Sequence, residues 1–338
     1  GSIYLGGNFT DAGSDSKMDY LIRTEASGAP AGPSTTFYPT DTGTNSGSSS
    51  YSNCVHTMFT ADGTAPDVTM VVGSQSNGRV TKKIVATGAD VGSFVAPTLN
   101  GAVTTGFYCS ACSSYRVVLG GRFTDADGYT GMSRLIRVSS SGSVGSYYAT
   151  STGTSGGTPL FDDDVNSIAL TTSQTSILVG GNFSDHLAKV YRSDFTPSET
   201  FSAPGLNSDV YSVAVDPVTS EYLFGGNFTN GGSYPACDFV CLSDSDGQVT
   251  NSNGRSFFVA PPPNAAVHTV GVNGHAAAQI GKYLLGGAFT GLGGNTATNR
   301  IARLNQSIPT EVTLDSSGGT QPGGADGIKT VCSNGQWQ

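Results

Sequence analysis

Charge is scarce in this chain: 12% of its 338 residues are charged, 16 Lys and Arg against 25 Asp and Glu. A net charge of −9 with no basic cluster excludes the electrostatic footprint of a nucleic-acid or anionic-membrane binder. Long apolar runs are missing as well. None approaches the ~20 residues of a spanning helix, and no signal-peptide pattern precedes Gly1, so direct membrane insertion is not expected. Extended helical periodicity is absent, which leaves little room for helices. The chain opens on Gly1-Ser2 without a methionine, as expected of an excised or processed segment of a larger protein.

Glycine, by contrast, is abundant, with 47 residues, roughly twice the usual share. The apolar runs are short, rich in Val, Ile, Tyr and Phe, and bounded by Gly, Asp, Asn and Ser, which is the pattern of short strands and turns. An all-β protein is expected. One phrase recurs: Gly-Gly-x-Phe-Thr/Ser at 6–10, 120–124, 180–184, 225–229 and 286–290, with a worn copy, Val71-Val72-Gly73-Ser74, at 71–74. With Gly73 counted as a second glycine, successive copies lie 66 (7 to 73), 48 (73 to 121), 60 (121 to 181), 45 (181 to 226) and 61 (226 to 287) residues apart. Each interval is the length of one small β-sheet module.

A second rule, Val/Ile-x-Thr/Ser, precedes each later copy: Val55-His56-Thr57, Val103-Thr104-Thr105, Val165-Asn166-Ser167, Val210-Tyr211-Ser212 and Val267-His268-Thr269. Residues two apart share a strand face, so each hydroxyl is expected beside its Val. The hydroxyls should then bond backbone groups of a neighbouring module. A third strand follows each phrase, as in Arg134-Leu135-Ile136-Arg137-Val138, and a fourth, more variable segment carries Phe and Ala-Pro, as in Phe94–Pro97, Phe201–Pro204 and Phe258–Pro261. Four strands per unit fit a propeller blade.

The tail Ile328-Lys329-Thr330-Val331 obeys the same rule. It is expected to pair, over 328–337, with the N-terminal strand. The expected architecture is therefore one domain, residues 1–338: a six-bladed β-propeller of four-stranded antiparallel blades, closed by pairing of the C-terminal with the N-terminal strand. Apolar strand, Gly-Gly-x-Phe-Thr, Gly-containing loop, Arg300-Ile301-Ala302-Arg303-Leu304-Asn305, turn, then Phe with Ala-Pro closely resembles the bacterial delta-60 repeat. That resemblance spans nearly the whole chain and implies a propeller within a large secreted or surface protein, with no catalytic residues to carry over. The worn second copy and the Gly/Ser/Thr-rich stretch from Thr40 to Asn53 depart from the pattern.

Six cysteines, Cys54, Cys109, Cys112, Cys237, Cys241 and Cys332, point towards disulfides and an oxidising, extracellular or cell-surface location; their pairing is open. Cys109-x-x-Cys112 is read as part of a local or long-range disulfide, since no second such pair completes a zinc site. Asp125-x-Asp127-Gly128 and Asp244-x-Asp246-Gly247 resemble calcium loops but lack the further carboxylates, so structural Asp-Gly turns are preferred and no cofactor is expected, with calcium as the alternative. Asp162-Asp163-Asp164 reads as a solvated turn. Asn8, Asn182, Asn227 and Asn305 begin Asn-x-Ser/Thr sequons; three of them belong to the repeat phrase, and fold requirement accounts for them.

No nucleophile elbow, phosphate loop or repeated sialidase-type Asp box is present, and the single Trp is Trp337. The expected function is non-enzymatic recognition of a surface protein or glycan by an adhesin-like or fibre-tip-like domain. Candidate contact residues are Tyr38, Tyr51, Tyr147 and Tyr148 on variable loops. The alternatives are a structural spacer, or a glycan-active hydrolase or lyase using Asp164, Asp209 and Asp326, which recur just before the Val/Ile-x-Thr/Ser strands.

Overall fold

A computed structural model describes residues 3–7, 21–24, 55–61, 69–74, 80–110, 112, 114–130, 132, 134–148, 160–229, 237–249, 262–273, 282–292 and 300–305. Among them every regular element is a β-strand. The chain divides into two compact units. The first holds β1 (Ile3–Gly6) paired with β2 (Leu21–Thr24), then a sheet of β3 (Val55–Thr60), β4 (Thr69–Ser74) and β5 (Val80–Ile84). It also holds β6 (Val103–Tyr108), β7 (Val117–Gly121), a short ribbon of β8 (Asp125–Ala126) and β9 (Tyr129–Thr130), β10 (Leu135–Val138) and β11 (Val144–Tyr148). Strands β6, β7, β10 and β11 form one four-stranded sheet. The second unit holds three three-stranded sheets: β12 (Val165–Leu170), β13 (Ser176–Gly181) and β14 (Leu187–Tyr191); β15 (Val210–Val215), β16 (Tyr222–Gly226) and β17 (Val240–Ser243); β18 (Val267–Asn273), β19 (Lys282–Gly287) and β20 (Ile301–Asn305). All pairings are antiparallel.

Three expectations need correction. The fourth strand forms in one sheet only among the described residues: Phe94–Pro97 and Phe201–Pro204 are irregular, and Phe258–Pro261 lies outside the described residues. Proline cannot donate to a ladder, which ends strand pairing there. These segments reach the next module instead. Val95 N–H donates to Ser141 O at 2.9 Å, and Ser202 N–H to Asp246 O at 2.9 Å. The turn glycines they approach, Gly142 and Gly247, have φ of 100° and 86°. A Cβ on Gly247 would lie 2.1 Å from Ser202 O, so only glycine fits.

The worn copy is also shifted by one residue. Thr57 pairs with Gly73 and Val55 with Ser74, just as Thr105 pairs with Gly120 and Val103 with Gly121. Gly73 is therefore the first glycine of its phrase, and Ser74 replaces the second. The two glycines have different tasks. A Cβ on the first would strike the next module's strand: Gly180 faces Val210 Cγ1 at 2.5 Å, Gly225 faces Val267 Cγ1 at 2.6 Å, Gly73 faces Val103 Cγ1 at 2.8 Å and Gly6 faces Val55 Cγ1 at 2.6 Å. A Cβ on the second would strike backbone before its own module's Val: Asp164 O at 2.1 Å from Gly181, Asp209 O at 2.0 Å from Gly226.

The third correction concerns the hydroxyls. A β-bulge sits at the middle residue of every Val-x-Thr/Ser, because Val210 pairs with Gly226 while Ser212 pairs with Gly225, two steps opposite one. The same shift occurs at Val55/Thr57, Val103/Thr105, Val165/Ser167 and Val267/Thr269. The extra residue reverses the facing of everything after it. Val210 therefore packs on Gly180 of the preceding sheet, while Ser212 turns to the following one and accepts the N–H of Val270 at 3.1 Å. Ser167 likewise accepts the N–H of Val213 at 3.0 Å. The expected bond to a neighbouring module is present at both; the expected shared face is not. Thr330 and the whole closing segment 328–337 lie outside the described residues.

The phenylalanine of the phrase is a core residue in four modules. Phe123, Phe183, Phe228 and Phe289 are buried, and Phe224 and Phe228 pack with ring centroids 5.8 Å apart. The carbonyl of each accepts a bond from the residue that opens the third strand: Arg134, His186, Phe239 and Arg300. Those four residues have φ between 57° and 70°, a left-handed conformation that a side chain adopts only under tertiary constraint. Their own carbonyls accept the N–H of Gly121, Gly181, Gly226 and Gly287, closing the same ring in these four modules.

Candidate functional site

Bulges re-aim side chains, and here the re-aimed residue is the variable one. In the second unit the bulge position is Asn166 in β12, Tyr211 in β15 and His268 in β18. Asn166 Nδ2 donates to Asn182 Oδ1 at 2.6 Å and to Val210 O at 3.0 Å in the next sheet. The ring of Tyr211 stacks on the imidazole of His268 with centroids 5.3 Å apart and planes 16° from parallel. All three are half-buried.

Acids stand beside this row. Asp209, next to Tyr211, lies 3.8 Å from His186 Nδ1. Burial raises its carboxyl above the usual range, a shift that the nearby His186 opposes and Asp163 reinforces. The Tyr211 hydroxyl is raised by burial and then by Asp209. His268 is lowered by burial and then by Arg300, so at neutral pH its imidazole is uncharged. The row thus presents a neutral ring pair flanked by carboxylates, chemistry suited to stacking on a sugar face and accepting bonds from its hydroxyls.

In the first unit the bulge position is His56 in β3 and Thr104 in β6. His56 is lowered to about 4 by burial and by Arg122. Thr104 Oγ1 donates to Gly120 O at 3.3 Å.

The sequence-based candidates fare differently. Tyr147 and Tyr148 lie on β11, with Tyr148 opposite Ile136; Tyr38, Tyr51 and Asp326 lie outside the described residues. Asp125 and Asp244 of the calcium-like motifs close turns, and Asp127 ties its loop to Thr98. Asp125 Oδ1 accepts Gly128 N–H at 3.0 Å, Asp127 Oδ1 accepts Thr98 N–H at 2.8 Å, and Asp244 Oδ1 accepts Asp246 and Gln248 N–H at 3.0 and 2.9 Å. Among the described residues no group of three or more His, Cys, Asp or Glu side chains is placed to hold a metal. Asp162 binds the Ser184 N–H at 2.9 Å and its hydroxyl, and Asp163 caps Asp164 N–H at 2.7 Å.

Disulfides join Cys109 to Cys112 and Cys237 to Cys241; Cys54 and Cys332 lie outside the described residues. Two disulfides fit an oxidising environment. Among the described residues no helix is long and apolar enough to cross a membrane.

No family model and no curated protein matches the chain. Its function is therefore read from the residues. The Val/Ile-x-Thr/Ser rule holds His56, Tyr211 and His268 as its middle residue, but the row is hidden in the sequence because a bulge leaves the spacing of the motif unchanged.

Proposed function

We propose that the chain is a non-enzymatic recognition domain of a secreted or cell-surface protein, adhesin-like or fibre-tip-like, that grips a glycan or surface protein. Its modules are read as blades of a six-bladed propeller of the delta-60 kind, with 328–337 completing the blade of β1 and β2. One observation carries the functional reading: a single backbone slot, fixed by the Gly-Gly pairing and the bulge, holds Asn166, Tyr211 and His268 in consecutive sheets. Constant frame and varied side chain is how scaffolds build recognition surfaces. The six phrases, the tail's matching pattern and the two disulfides support the rest.

A panel of glycans and surface proteins, screened with and without calcium, tests this. A ligand bound by the wild type and lost in Tyr211→Ala with His268→Ala, at unchanged melting temperature, supports the reading; undiminished binding by that double variant removes the row from it. Deleting residues 328–338 should lower the melting temperature sharply by exposing strand edges, and an unchanged value contradicts closure. A second reading, a glycan-active hydrolase or lyase, draws on the raised carboxyl of Asp209 beside His186. Turnover of the bound glycan, lost in Asp209→Asn, would favour it.

A further inference from the structure

Within the repeat phrase, the structure separates residues the fold needs from one it does not. In Asn227-Phe228-Thr229 the phenylalanine is fully buried, and the threonine is clipped by Asn207, whose Oδ1 accepts Thr229 N–H at 2.9 Å and whose Nδ2 donates to Thr229 Oγ1 at 3.0 Å. The same clip joins Asn100 to Thr124 and Asn264 to Thr290. Residue 227 contributes only its backbone, donating N–H to Asp209 O at 3.0 Å. Arg122 and Ala288 fill the equivalent slot and make the equivalent backbone bond, to Ala102 O and Ala266 O. The expectation that fold requirement explains the sequon asparagines therefore fails here: it explains Phe and Thr, not Asn. Asn182 differs, since its side-chain oxygen holds Asn166. Asn227 is exposed.

We propose that Asn227 is an N-glycosylation acceptor. The sequon is complete, the residue is exposed, and the two disulfides fit the oxidising secretory compartments in which such transfer occurs. The donor class is a lipid-pyrophosphate-linked oligosaccharide. Asn227 Nδ2 bonds to the anomeric carbon of the sugar, the bond from that carbon to the phosphate oxygen breaks with its electron pair leaving on the lipid pyrophosphate, and the amide proton passes to a base of the transferase.

The test is secretion of the full chain from eukaryotic cells, followed by glycopeptide mapping. A glycan on the peptide containing Asn227, absent in Asn227→Gln and Thr229→Ala and retained in Thr229→Ser, supports the proposal. A secreted, folded chain with unmodified Asn227 overturns it. So does an Asn227→Gln protein that, made in a host without the transferase, melts well below the wild type, because the asparagine would then serve the fold.

Discussion

Ser212 Oγ accepts the backbone N–H of Val270 at 3.1 Å, joining strand β15 to the neighbouring strand β18 through a side chain rather than a ladder. Ser212 is buried, so its loss would strand a main-chain donor away from water. In the second unit the sheets of β12 and β15 thus each offer a hydroxyl, Ser167 or Ser212, to the next sheet and receive its valine at their first glycine, Gly180 or Gly225.

Replacing Ser212 with Ala should therefore lower stability by about 1–3 kcal/mol, the cost of an unsatisfied buried donor. Threonine should be tolerated, since Thr57 and Thr105 are buried at the same position. Urea unfolding of the two variants checks this, and equal losses would show that the hydrogen bond contributes nothing. The same substitution at Thr269 is a weaker test, because that residue is only partly buried.

Much of this was legible in the sequence. The Val-x-Thr/Ser and Gly-Gly rules located strands β3, β6, β12, β15 and β18 with their partners, because glycine holes and their valines must recur together. The bulge was not read, although a signal existed. Met58, Ile168, Val213 and Val270 each stand three residues after their Val, and an apolar side chain three along a plain strand belongs to the opposite face. Both Val210 and Val213 press on Gly180, which only an inserted residue allows. The Asn or Asp three before four of the five Vals, at 100, 162, 207 and 264, equally foretold the clip to the Thr or Ser of the phrase. The candidate row stayed hidden because its residues share a place, not an identity.

Truncating Phe228 to Ala should cost about 3–5 kcal/mol, the usual range for a fully buried phenylalanine. It packs beside Phe224, which cannot move to fill the gap without leaving β16. A loss below about 1 kcal/mol in urea unfolding would mean that the site collapses freely.

Acid should weaken the fold through its histidines. His56 is held at about 4 against an ordinary 6.5, so between these values the unfolded chain binds a proton that the folded chain refuses. Its contribution is complete above pH 6.5 and is lost as pH falls towards 4, on the order of 3 kcal/mol at most. His268 acts in the same direction. Asp209, raised rather than lowered, tilts the other way at the acid end. Urea midpoints measured from pH 7 to pH 4 should fall more steeply for the wild type than for His56→Gln; parallel profiles would show that His56 is freely hydrated.

The two glycines of one phrase should fail in different ways. A Cβ at Gly225 would meet Val267 Cγ1 at 2.6 Å and Val270 Cγ1 at 2.9 Å, both side-chain atoms of the neighbouring sheet. A Cβ at Gly226 would meet the carbonyl oxygen of Asp209 at 2.0 Å, and that oxygen already accepts Asn227 N–H. Overpacking of the first kind costs about 1–3 kcal/mol and can be relieved by trimming the intruding side chain. The second kind cannot be relieved, because backbone has nowhere to retreat without breaking its hydrogen bond. Gly225→Ala combined with Val267→Ala should therefore be more stable than the sum of the single losses predicts, with a coupling of about 0.5–3 kcal/mol, whereas Gly226→Ala should gain nothing from Val267→Ala. Thermal or urea unfolding of the two double-mutant cycles decides it: additive losses at Gly225 would mean that the valine does not occupy the space above that glycine, and the packing of each sheet on the next would have to be redrawn.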